Sequence, residues 1–77
     1  MNDAPIQIYN TVEIIDHDDD FSFSSWTMVR EGLTTIHAIH NGYHSSRYQA
    51  EFQGRIQAKN TQILLQKLGR TVTIVAS

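Results

Sequence analysis

The chain has 77 residues, 40% of them hydrophobic and 9% aromatic, with a formal net charge of −2 and no cysteine. These values describe one domain with a single thin core, too apolar to stay disordered. They exclude disulfide staples, thiolate metal sites and cysteine nucleophiles, and no apolar run approaches the length of a membrane span.

A chain this short buries only about 60% of its unfolded surface, so its stability is modest or borrowed in part from self-association. The opening MNDAPIQIYN has neither a basic region nor an apolar run and does not read as a signal peptide. A cysteine-free chain of this kind suits the cytoplasm. The small net charge hides a division. Residues 1–40 carry Asp3, Glu13, Asp16, Asp18, Asp19, Asp20 and Glu31 against Arg30 alone, a net −6. Residues 41–77 carry Arg47, Arg55, Lys59, Lys67 and Arg70 against Glu51 alone, a net +4. The plain reading is attraction between the halves within the fold. The sharper one is two surfaces for two partners, or copies that meet acidic side to basic side.

From Ile6 to Ile15 the chain is rich in β-branched residues, with Ile6, Ile8, Val12 and Ile14 on one parity, which predicts a strand. Asp16 to Asp20, DHDDD, places four carboxylates in five residues and predicts a solvated turn. Phe21 to Arg30 reads as a second strand whose apolar parity switches between Phe23 and Trp26, so a bulge is expected near Ser24–Ser25. Glu31-Gly32 predicts a turn and residues 33–40 a third strand. A helical reading of Trp26, Val29, Leu33, Ile36 and His40 competes, but Gly32, Thr34 and Thr35 favour strands. Asn41-Gly42 suits a two-residue hairpin turn.

Arg47 to Lys59, RYQAEFQGRIQAK, alternates polar and apolar or small residues without a break, which predicts a long fourth strand. Tyr48, Phe52 and Ile56 would then face the core, and Arg47, Gln49, Glu51, Gln53, Arg55, Gln57 and Lys59 would form a polar row. Asn60 to Gly69 predicts a short helix with an Ile63, Leu64, Leu68 stripe and a glycine stop. Residues 70–77 predict a closing strand inside the sheet, with Val72, Ile74 and Ala76 on one face. The expected class is α+β: a small, curved, mostly antiparallel sheet in the order β-β-β-β-α-β, with one helix packed on one face.

Several constellations bear on function. Three cations and three amides in the Arg47–Lys59 row could track a phosphate backbone or an acidic protein surface. His37, His40 and His44 could ligate zinc or nickel only if they converged, and a strand sends His37 and His40 to opposite faces, so they are weak metal candidates. Asp16, Asp18 and Asp20 have the alternate spacing of a calcium loop, but Phe21 stands where the loop needs glycine and no closing acid follows. The same carboxylates could mimic phosphate, though one cluster is thin for that. Phe21, Phe23 and Trp26 are expected to be mostly core, with an aromatic on a second face left as a contact residue. Phosphate loops, nucleophile elbows and cofactor motifs are missing, so neither an enzyme nor a cofactor is expected.

The reading these features favour is a small, non-enzymatic interaction module, of adaptor or inhibitor type as phages encode them. It would bind a larger protein, or a second copy of itself, through Asp16, Asp18, Asp19, Asp20, Trp26, Arg47, Gln49, Arg55 and Lys59. A nucleic-acid-binding domain using the basic half is the alternative, and a histidine metal protein comes third. No membrane partner is expected.

Overall fold

The computed structural model describes residues 4–75. Three long strands, β1 (Ile6–His17), β2 (Asp20–Glu31) and β3 (Thr34–His44), precede one helix, α1 (Arg47–Lys67), and a short strand, β4 (Val72–Ile74). The sheet order is β3-β2-β1-β4. β1 and β2 pair antiparallel without interruption from Ile6↔Glu31 to His17↔Asp20. β2 and β3 are antiparallel with register shifts at Ser24/Trp26 and Val29/Arg30. β4 runs parallel to β1 and meets only Ile6–Ile8. The α+β class is as the sequence implies, with β-β-β-α-β in place of the expected β-β-β-β-α-β.

The turns follow their chemistry. Asp18 takes a positive φ of 21° inside the acidic turn, which aspartate tolerates better than most residues. Gly32 turns the next hairpin with a φ of 60°. The expected bulge falls at Ser24–Trp26. Asn41-Gly42 makes no hairpin. β3 runs through it to His44, with Gly42 at a φ of 91°.

The principal correction concerns residues 47–59, which are not a strand. They form the first two-thirds of α1. Ser46 caps the helix, its hydroxyl accepting from the Gln49 N–H at 3.2 Å. At the other end the Gly69 N–H reaches the Gln66 carbonyl and the Arg70 N–H the Leu65 carbonyl, a glycine-closed terminus with Gly69 at a φ of 84°. A thirteen-residue alternation also contains a period of four. In this segment Ala50, Gly54 and Ala58 supply that period and are the buried residues of the helix. Tyr48, Phe52 and Ile56 lie on the opposite side, exposed, and Ile63, Leu64 and Leu68 farther along are exposed as well. The expected assignment of these faces is therefore reversed: the small residues meet the sheet and the large ones meet solvent.

The reason lies beneath the helix. A Cβ on Gly54 would stand 3.0 Å from the Asn10 Cγ, so a side chain there would have to push the Asn10 side chain aside. Below this contact lies a polar layer. Ser25 donates to the Ala50 carbonyl at 2.7 Å and Thr27 donates to Asn10 Oδ1 at 2.8 Å. Asn41 Nδ2 donates to Thr27 Oγ1 at 2.8 Å and to Ser25 Oγ at 3.3 Å. Ser25 and Thr27 are fully buried. The apolar core sits to one side of this layer, where Ile6, Ile8, Val29, Ala58 and Val72 cluster with Leu65 and Ile74 against them.

β4 also departs from expectation. It lies at one end of the strand order, not inside the sheet, although Val72 is buried. Ala76, expected on its inner parity, lies outside the described residues. None of the three N-terminal aromatics is fully buried: Phe21 is exposed, and Phe23 and Trp26 are half-buried.

The structure separates positions that the alternation treats alike. Gly54→Leu should destabilise the fold by about 1–3 kcal/mol, because the added carbons meet the Asn10 side chain and the sheet. Ile56→Gln should stay within about 0.5 kcal/mol, as a substitution on exposed helix surface. Thermal or urea melts of both variants check this; a strand at 47–59 would give a large loss for Ile56→Gln. Thr27→Val should cost about 1–3 kcal/mol, since it strands Asn10 Oδ1 and one Asn41 donor in a buried layer. The midpoint of urea unfolding is the readout.

Candidate functional site

One helix covers one face of the sheet, so the other face is free to present side chains. Ser25 and Thr27 point to α1. Strand alternation therefore puts Ser24, Trp26, Met28 and Arg30 on the far face. Their partners across the ladders are Glu13, Thr11, Tyr9 and Gln7 on β1, and Tyr43, His40 and Ala38 on β3. The Trp26 and His40 rings lie 4.7 Å apart, and those of His40 and Tyr43 4.8 Å apart in an edge contact. Ser24 Oγ bonds His40 Nε2 at 2.8 Å, which holds the imidazole between the two larger rings. Farther along the same face, Arg30 stacks 5.5 Å from the Tyr9 ring centroid and hydrogen-bonds Gln7. Trp26, Tyr9 and Met28 are half-buried, and Tyr43 is 67% exposed. The result is an aromatic row on a rigid sheet, with one guanidinium beside it.

A second feature lies on the helix side. Asn10 and Val12 of β1, with Arg47, Glu51 and Arg55 of α1, line a groove of about 290 Å³. Arg47 also stacks on Phe23, 5.6 Å from its centroid. Beyond the start of α1 the β1–β2 hairpin runs on uncovered, with Ile14 and Phe21 exposed at 53% and 59%. Asp16, Asp18, Asp19 and Asp20 are all exposed at its end. Asp20 accepts from the Phe21 N–H at 2.7 Å, and His17 bonds Ser22 Oγ at 2.9 Å.

The polar row expected on one strand face is thus divided around a helix. Arg47 and Arg55 come together in the groove. Gln49 accepts from Ser45 near the helix cap, and Lys59 donates to Gln62 a turn farther on. Among the described residues one ion pair joins the two halves of the chain, Arg70 with Glu31. His37 and His40 occupy opposite faces of β3, and His44 Nε2 bonds the Asn41 carbonyl. Among the described residues no group of three His, Asp or Glu side chains is placed to hold a metal ion. No helix among them is long and apolar enough to cross a membrane.

Sequence reasoning selected Trp26, Arg47 and Arg55 but passed over Tyr9, His40 and Tyr43 as a set. Their signal was parity: Tyr9 falls out of phase with Ile6 and Ile8, and Trp26 out of phase with Phe21 and Phe23. Glu51, expected only as one member of the polar row, shares the groove with both arginines. The sequence matches no protein-family model, no curated protein and no solved structure at a significant level.

The placement of the histidines has a simple consequence. Stoichiometric Zn²⁺ or Ni²⁺ should leave the melting temperature unchanged, because a site that binds the folded state would raise it by mass action. A rise that saturates at one metal per chain would contradict this.

Proposed function

We propose that this protein is a small interaction module that docks a larger protein against the helix-free face of its sheet. The observation that carries the reading is the Trp26–His40–Tyr43 row. Tryptophan, tyrosine and arginine are the residues that dominate binding energy at protein interfaces, above all when rigidly held and partly desolvated. Here the Ser24–His40 hydrogen bond and the ring contacts restrict the side chains, so less entropy remains to be lost on contact. Arg30 adds a charged anchor that suits a carboxylate on the partner. The acidic hairpin end favours approach of a basic surface and acts on the association rate more than on the final affinity.

Nucleic-acid binding is the second reading, because aromatic rings on an open sheet can stack bases. Charge weighs against it. Stacking platforms need cations along the same track. Here the aromatic face holds Arg30 opposed by Glu13, while Arg47, Arg55, Lys59 and Lys67 lie on the helix side.

Trp26 is the only tryptophan, so its fluorescence reports on this face alone. With a protein partner in hand, docking should shift its emission to the blue. Trp26→Ala should weaken binding at least about thirtyfold, or roughly 2 kcal/mol. Titration with single-stranded oligonucleotides at two salt concentrations should leave the emission unchanged. Quenching that falls steeply with salt would replace the protein-docking reading with the nucleic-acid one.

A further inference from the structure

The side of β1 away from β2 is only partly paired. β4 covers Ile6–Ile8, and beyond Ile8 no strand lies against it among the described residues. Two hydrogen bonds fix which backbone groups point that way. Ile6 donates to the Thr71 carbonyl at 3.0 Å, and Val75 donates to the Ile8 carbonyl at 2.8 Å. Backbone direction alternates along a strand, so Asn10, Val12, Ile14 and Asp16 turn their N–H and C=O groups to the same open side.

Sheet edges in native proteins are commonly blunted by bulges, proline, glycine-marked kinks or lysine. The outer strand on the opposite side of the sheet follows that rule. β3 carries two register shifts and Gly42 at a φ of 91°. β1 follows it less. Its register with β2 is unbroken, and between Asn10 and His17 it has no proline, glycine or lysine, its charges there being the acids Glu13 and Asp16. It presents a regular template for another strand, flanked on the helix side by the Arg47/Glu51/Arg55 groove.

We propose that this edge pairs with β1 of a second copy, antiparallel about a two-fold axis. Charge selects the occupant. β1 runs from the groove, where Asn10 and Val12 lie beside the two arginines, to the acidic hairpin end at Asp16–Asp20. Laid antiparallel on itself, each acidic end meets the other copy's arginines, and the contact is made twice. With the axis at Ile14, Val12 of one protomer stands opposite the partner's Asp16, which places that carboxylate at the Arg47/Arg55 groove. The axis at Ile14 also keeps the incoming strand clear of Val75, which lies beside the first part of β1. Ile14, 53% exposed in the single chain, then meets its own counterpart. Neither Arg47 nor Arg55 has an ion-pair partner among the described residues, and this arrangement supplies one to each.

Sedimentation equilibrium of the full chain at low salt should give twice the monomer mass of 8.8 kDa. Two charge-swapped variants test the pairing: Asp16→Lys with Asp18→Lys, and Arg47→Glu with Arg55→Glu. Each alone should raise the dissociation constant at least about tenfold. Mixed in equal amounts they should form a heterodimer, because both contacts again join opposite charges; that outcome also shows both variants to be folded. Hydrogen exchange on the wild type should show the amides of Asn10, Val12, Ile14 and Asp16 gaining protection as concentration rises. A wild-type mass of 8.8 kDa at a concentration on the order of 1 mM would overturn the proposal. So would a dimer indifferent to both swaps, or a monomer whose β1 edge is instead occupied by an acidic peptide. Trp26→Ala should leave this dimer intact, so failure here and failure of the sheet-face reading are separately visible.

Discussion

The closeness with which α1 lies on the sheet governs the molecule. At Ala50, Gly54 and Ala58 the helix offers no side chain larger than a methyl group, and Asn10 approaches where a Gly54 Cβ would be. That contact has two consequences. The sheet beneath it must be satisfied with hydrogen bonds, which Ser25, Thr27, Asn41 and Asn10 provide across three strands. The large apolar side chains of the helix, Tyr48, Phe52 and Ile56, must then point away, because the helix turns one face only to the sheet. A buried polar layer paired in this way fixes register more than it adds stability, since its net contribution per hydrogen bond is only about 1 kcal/mol. The stabilising apolar core is left to one end, around Ile6, Ile8, Val29 and Val72.

Much of this was legible in the residues, and the failure is specific. Gly32, the aspartates of the turn, the parity switch near Ser24 and the Gly69 stop each act through local backbone chemistry, and each stands where it was expected. Arg47 to Lys59 went wrong because alternation of two kinds of residue satisfies a period of two and a period of four together. Taking size as a proxy for burial places Tyr48, Phe52 and Ile56 inside. Close packing inverts that proxy: glycine and alanine at four-residue spacing mark the contact. Propensity also pointed to a helix, with Arg, Gln, Glu, Ala and Lys filling most of the segment. Asn41-Gly42 departs from its expected turn for a related reason. Its asparagine is held by Ser25 and Thr27, long-range partners that no local turn rule contains.

The charge division seen along the chain becomes a spatial one. The acids gather at the far end of the β1–β2 hairpin and the bases along α1, and among the described residues Arg70–Glu31 is the ion pair that joins the two halves. Among the described residues the hairpin aspartates and the arginines of α1 are not paired with one another. The residues picked out for binding do not share one surface. Trp26 belongs with Tyr9, His40 and Tyr43 on the open face, and Arg47 and Arg55 belong to the groove at the β1 edge.

β4 sets the order in which this architecture can assemble. Its three residues pair with Ile6–Ile8 across nearly the whole length of the chain, so closing that seam carries the largest loop entropy in the fold. The β1–β2–β3 meander and α1 are built from neighbours and can organise before it. During synthesis Ile6 and Ile8 leave the ribosome long before Val72 exists to cover them. Until then the nascent chain presents an isoleucine pair that β4 and the later turns of α1 go on to cover.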